Sequence, residues 1–118
     1  MIELPLRQLA SHAPIWMPVR GGSMSPRLRP GDQVLVDLSR SWVCGDVVVV
    51  GAHCGLVVHR IVAVVGDGAR VITKGDAVRH CDRAVKRAAI VGVVIRVRRR
   101  RWWGWWQEMA VSRALGQS

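Results

Sequence analysis

Ser23 follows two glycines in Arg20-Gly21-Gly22-Ser23-Met24-Ser25-Pro26, where the backbone can turn sharply and leave a hydroxyl exposed. N–H groups flanking a serine so placed are free to bind an oxyanion. Pro26 removes one donor and restricts the residue before it, which fixes the turn. A hydroxyl attacks only beside a base, and the base works best when a third group orients it. His59 lies within the apolar stretch 56–65, and Asp76 and Asp82 follow in the segment 73–83. Hydroxyl, imidazole and carboxylate together would perform acyl transfer. Taken alone, each has a plainer reading: a turn serine, a core histidine, a turn aspartate.

These groups need strands to hold them. Residues 15–19 read as a strand entering the glycine turn, and 33–37 alternate apolar and polar after the turn signal Pro30-Gly31-Asp32. Gly45-Asp46 opens a strand over 47–51, a break at 52–55 precedes a longer one over 56–65, and Gly66-Asp67-Gly68 is a tight turn. Strands at 70–74 and about 89–97 follow, the second after a loop. Short helices are expected at 4–13 and 102–115, from the spacing of their apolar residues. Short strands joined by Gly-Asp turns predict a mostly-β, compact coiled or barrel-like sheet with short terminal helices.

Composition agrees. At 118 residues the chain is expected to form one domain, with a core over 14–98 and a basic, Trp-rich tail over 99–118. It has no Phe and no Tyr, so Val, Ile, Leu, Ala and Trp must fill the interior, and valine favours strands. The net charge of +10 attracts polyanions but does not specify a fold. Three cysteines, Cys44, Cys54 and Cys81, cannot all pair within one chain; with no secretory signal evident they are expected as thiols in the cytoplasm. No apolar run is long enough to span a bilayer.

Four ordered segments carry a resemblance over roughly residues 15–97. Gly21-Gly22-Ser23-Met24-Ser25-Pro26, followed by Leu28 and Gly31-Asp32, resembles the nucleophile segment of type I signal peptidases and of the related LexA-type self-cleaving repressors. Gly45-Asp46-Val47-Val48-Val49 and Lys74-Gly75-Asp76 resemble later boxes of that superfamily. Val57-Val58-His59-Arg60-Ile61-Val62 resembles the endoplasmic-reticulum and archaeal branch, where histidine stands in place of lysine. The substitution is chemically sensible: a lysine, ordinarily near 10.4, must be pushed towards neutrality by burial, whereas a histidine begins near 6.5 and needs mainly orientation.

The resemblance implies a serine endopeptidase with Ser23 as nucleophile, His59 as general base and Asp82 orienting the imidazole. Asp76 would be the structural aspartate of its turn, supporting the site together with Gly21 and Gly22, and Met24 would help wall the substrate site. Gly21 leaves no hydroxyl two residues before the serine, so backbone N–H groups, chiefly that of Ser23, would form the oxyanion hole. The implied substrate is an extended leader-like peptide or preprotein with small residues before the cut. Departures are the missing membrane anchor and the missing inserted substrate-side domain. A catalytically silent peptide-binding member is the first alternative. A self-cleaving regulator is the second, although a DNA-binding domain and cleavage segment would need more chain before Ser23.

Asp32 and Asp46 are expected to accept backbone N–H groups in their turns. His53-Cys54 and His80-Cys81 lack the spacing of a compact zinc motif, and neither metal nor cofactor is expected. The run from Arg98 to Trp106 suits packing over the open end of the sheet, or peripheral contact with an anionic membrane or partner protein. Nucleic acid is not expected, since no recognition element accompanies the basic run.

Overall fold

Valine at four consecutive positions, 47–50, can be satisfied only if both faces of one strand are covered. The computed structural model, which describes residues 13–53, 55–100 and 106–109, places that strand in the middle of one antiparallel sheet. In chain order the strands are β1 (Ile15–Pro18), β2 (Gln33–Asp37), β3 (Val47–Ala52), β4 (Gly55–Val65), β5 (Arg70–Lys74), β6 (Val85–Lys86), β7 (Ile90–Arg100) and β8 (Trp106–Met109). Their order across the sheet is β1-β2-β7-β3-β4-β5-β6, with β8 pairing on β7. A 3-10 turn, Arg87–Ala89, leads into β7.

The two faces of β3 support separate cores. Val47 and Val49 join Ile15, Met17, Met24, Leu28 and Val34 on one side. Val48 and Val50 join Ile61, Val71 and Val93 on the other, with Trp42 packed against them. Each fully buried valine contributes roughly 1.5 kcal/mol or more, so the two layers together hold the sheet without any Phe or Tyr.

Register then fixes where β4 sends its side chains. Val48 faces His59 and Val47 faces Arg60 across the β3–β4 hairpin. Because neighbours on a strand point to opposite faces, His59 and Arg60 belong to different sides of the sheet. A bulge between Ile61 and Ala63 leaves β4 with one extra residue against β5 just beyond this pair. The turn at 66–68 is built from three residues of positive φ, Gly66, Asp67 and Gly68.

The mostly-β expectation holds, with strands at all six anticipated places. Two short ones, β6 and β8, were not anticipated. For β8 the difference is one of kind: the helix expected over 102–115 is replaced at Trp106–Met109 by a strand antiparallel to Val97–Arg100. β3 covers its edge of β7 only over Ile90–Val93, so beyond that point the edge is open, and a strand there satisfies its backbone N–H and C=O groups. The helix expected over 4–13 lies outside the described residues, apart from Ala13, and so do Trp102, Trp103 and Trp105.

Candidate active site

The serine turn is the end of a long loop between β1 and β2. Its neck is closed by Val19 N–H donating to Asp32 O at 2.8 Å and Gly31 N–H donating to Val19 O at 3.2 Å. Met24 and Leu28, 2% and 0% exposed, plug the loop into the core. Met24 is thus buried beneath the turn, where its sulfur accepts the Asp76 N–H, and is no wall of an open site. Asp32 accepts Arg29 N–H at 2.9 Å and Arg99 Nε–H at 3.3 Å, while Arg99 also donates to Arg27 O. One arginine of the basic run therefore braces the serine loop. A second, Arg98, stacks on the ring of Trp16 at 3.9 Å.

Gly21 has φ +75°, a conformation that a side chain would strain, whereas a Cβ at Gly22 would meet only Ser25 Oγ at 3.6 Å. The Ser25–Pro26 bond is cis. Ser23 N–H has no hydrogen-bond partner among the described residues.

Ser23 and His59 are 36 residues apart in sequence, yet Ser23 Oγ lies 3.1 Å from His59 Nε2. On the other side of the ring, His59 Nδ1 lies 2.5 Å from Asp82 Oδ2. A carboxylate can only accept, so the ring proton sits on Nδ1 and leaves Nε2 to receive the serine proton. The imidazole is 11% exposed and the Asp82 side chain 39%. Burial thus limits the ring to two partners, both polar.

Asp76 does not touch the imidazole. Its two oxygens accept Nε–H and Nη2–H of Arg60, each at 2.9 Å, and Arg60 Nη1 donates to Gly45 O at 2.8 Å. Of the two carboxylates in the 73–83 segment, only Asp82 reaches His59. Asp46 accepts Val43 N–H, as expected of its turn.

Two residues had no assigned role from sequence. Thr73 Oγ1–H donates to Asp82 Oδ2 at 2.7 Å, and Asp82 N–H donates to Thr73 O at 2.8 Å, so β5 holds the aspartate by side chain and backbone. Gly75 lies against the nucleophile. A Cβ there would stand 2.6 Å from Ser23 O, 2.9 Å from Ser23 Cβ and 3.2 Å from His59 Nε2. The close approach allows Ala77 N–H to donate to Ser23 O at 2.8 Å and so ties the loop to the turn that follows β5. Their sequence signal was the segment Thr73-Lys74-Gly75-Asp76 itself, read as a turn and not as a surface for the serine.

Among the described residues no group of three His, Cys, Asp or Glu side chains is arranged to hold a metal ion, and no helix is long and apolar enough to cross a membrane. Cys54 lies outside the described residues, and Cys44 and Cys81 are exposed free thiols.

Hydroxyl, imidazole and carboxylate in hydrogen-bonded succession form the constellation on which serine hydrolases rely. Residues 2–95 match the model of the peptidase S24-like family. The chain belongs to that family, whose members include serine peptidases and self-cleaving regulators. Comparison with curated proteins and with solved structures finds no match.

Proposed function

We propose that the chain is a serine endopeptidase of the histidine-base type. Ser23 Oγ attacks the scissile carbonyl while His59 Nε2 takes its proton; the same proton then passes to the leaving amine as the C–N bond breaks. Asp82 holds the ring and stabilises the imidazolium formed in between. Ser23 N–H, without a hydrogen-bond partner among the described residues, is the donor for the oxyanion. Water attacks the resulting ester, again deprotonated by His59, and releases the acid product. The observation that carries this reading is the unbroken chain Ser23 Oγ–His59 Nε2, His59 Nδ1–Asp82 Oδ2. The signal-peptidase resemblance supports an extended peptide substrate with small residues before the cut.

The test is labelling by a small fluorophosphonate together with digestion of a peptide library. Wild type should label at Ser23. Ser23→Ala should abolish labelling, and both Ser23→Ala and His59→Ala should lower turnover by about 10⁴- to 10⁶-fold without unfolding. Peptide cleavage that survives Ser23→Ala would overturn the assignment.

Family membership supports a second reading, in which the bond cut lies in the chain itself. The same three residues would serve. Self-cleavage within one molecule proceeds at a rate independent of protein concentration, which distinguishes it from cleavage of a separate peptide.

A further inference from the structure

The concave surface next to these residues opens on the aspartate's side of the ring. A cleft of about 560 Å³ has His59, Thr73 and Asp82 in its wall, and Ser23 is not among its lining residues. That volume falls in the range of sites that enclose a ligand group. Val50 and Val57 from the β3–β4 hairpin, with Ala84 and Val85, give it an apolar lining. His53 and Arg83 contribute the remaining polar groups.

Charge narrows the ligand. Among the described residues the one acid lining the cleft is Asp82, whose Oδ2 is already engaged by His59 and Thr73. Arg83 is exposed, and no carboxylate among the described residues pairs with it. An apolar side chain fits the walls, and a neighbouring carboxylate is attracted to Arg83. A lysine or arginine in the same place would face Arg83 in a chain of net charge +10.

We infer that this cleft is a substrate subsite for an apolar residue flanked by an acidic one, lying in an extended peptide away from the bond attacked by Ser23. The inference rests on the serine-peptidase reading for its place in catalysis, but the binding it describes does not depend on turnover. Occupation also has a chemical consequence. The Asp82 side chain, 39% exposed, forms part of the cleft wall. A bound apolar side chain displaces water from around that carboxylate, and in the drier surroundings its hold on the imidazole strengthens. The right peptide thus strengthens the contact that orients the base for its own cleavage.

The experiment measures binding in the Ser23→Ala chain, by fluorescence anisotropy of labelled hexapeptides Ala-Ala-Val-Glu-Ala-Ala, Ala-Ala-Val-Lys-Ala-Ala and Ala-Ala-Gly-Glu-Ala-Ala. The Val-Glu peptide should bind tightest. Adding Ala84→Trp, which fills the cleft, should weaken it at least tenfold. Adding Arg83→Glu should reverse the preference between Glu and Lys, each by about fivefold, as expected for an exposed ion pair. A reversal of preference cannot arise from misfolding, so it stands even if Ala84→Trp disturbs the chain. Equal affinity for all three peptides, or affinity unmoved by both substitutions, overturns the subsite. Fluorophosphonate labelling of the wild type is run alongside. Binding as expected without labelling leaves the subsite standing and removes the peptidase reading; labelling without selective binding does the reverse.

Discussion

Two adjacent residues on β4, His59 and Arg60, each meet a carboxylate from the segment after β5, on opposite faces of the sheet. The pairs are built from similar charges and do different things. Arg60 spreads its fork over both oxygens of Asp76 and adds Gly45 O, and the two side chains are 12% and 13% exposed. Guanidinium does not give up its proton, so this pair can only fasten. It clamps the Gly75–Ala77 turn to β4 and to the turn before β3. His59 spends one nitrogen on Asp82 and presents the other to a hydroxyl, with its carboxylate partly open to the cleft. An imidazole in that position can pass a proton through.

The widest separation between the faces should come from matched substitutions of the two aspartates. Asp82→Asn should lower turnover by about 10⁴-fold, since the amide no longer holds the imidazole in the required tautomer, while thermal stability changes little. Asp76→Asn should do the opposite. Removing the charge from a buried, fully hydrogen-bonded pair costs about 3–5 kcal/mol of stability, while the labelling rate per folded molecule stays near that of wild type. Urea denaturation and fluorophosphonate kinetics on both variants read the two quantities separately. Similar profiles for the two variants would end the distinction between a fastening face and a reacting one.

Gly75 sharpens the comparison, since it lies between the two. A methyl group at this position would stand 2.6 Å from Ser23 O, so in Gly75→Ala the serine turn has to move away from β5. Displacement of a nucleophile by about 1 Å costs about 10²-fold in rate. The loss should appear in kcat more than in KM, because the cleft lies on the other side of the ring. Arg60 and Asp76 should remain paired, so stability should fall less than in Asp76→Asn. An unchanged kcat would mean that the loop yields without disturbing its hydroxyl.

Much of this was legible from residue order. Period-two alternation over 33–37, the four valines of β3 and the Gly-Asp turns placed the principal strands, because those signals are local. The serine turn and the histidine strand were legible as segments. Residue types alone left Asp76 and Asp82 both open as the histidine's partner, since they are six residues apart on an irregular stretch and strand register decides which face each serves; the resemblance pointed to Asp82, the one that reaches His59. Register also explains the misjudged tail. Trp106 to Met109 looked like part of an amphipathic helix from its own residues, but the open edge of β7 is a partner supplied by a segment elsewhere in the chain. Thr73 and Gly75 went unrecognised for the same reason: each matters through a contact across the fold, with Asp82 or Ser23, that their own neighbours do not announce.

Thr73 gives the smallest and most discriminating effect. Its hydroxyl donates to the same Asp82 oxygen that faces the imidazole, so Thr73→Val removes one of two restraints on the carboxylate while preserving shape and the backbone bond from Asp82 N–H. Hydrogen bonds to charged groups contribute about 1.5–3 kcal/mol when buried, but Asp82 is partly open and water from the cleft can replace the hydroxyl. The expected fall in kcat is therefore about tenfold or less. Thr73→Ser should recover most of it, because the donor returns. The loss should also be greater for peptides that fill the cleft than for the small fluorophosphonate, since a filled cleft admits no replacing water. If serine does no better than valine, the hydroxyl is packing against β5 and is not orienting Asp82.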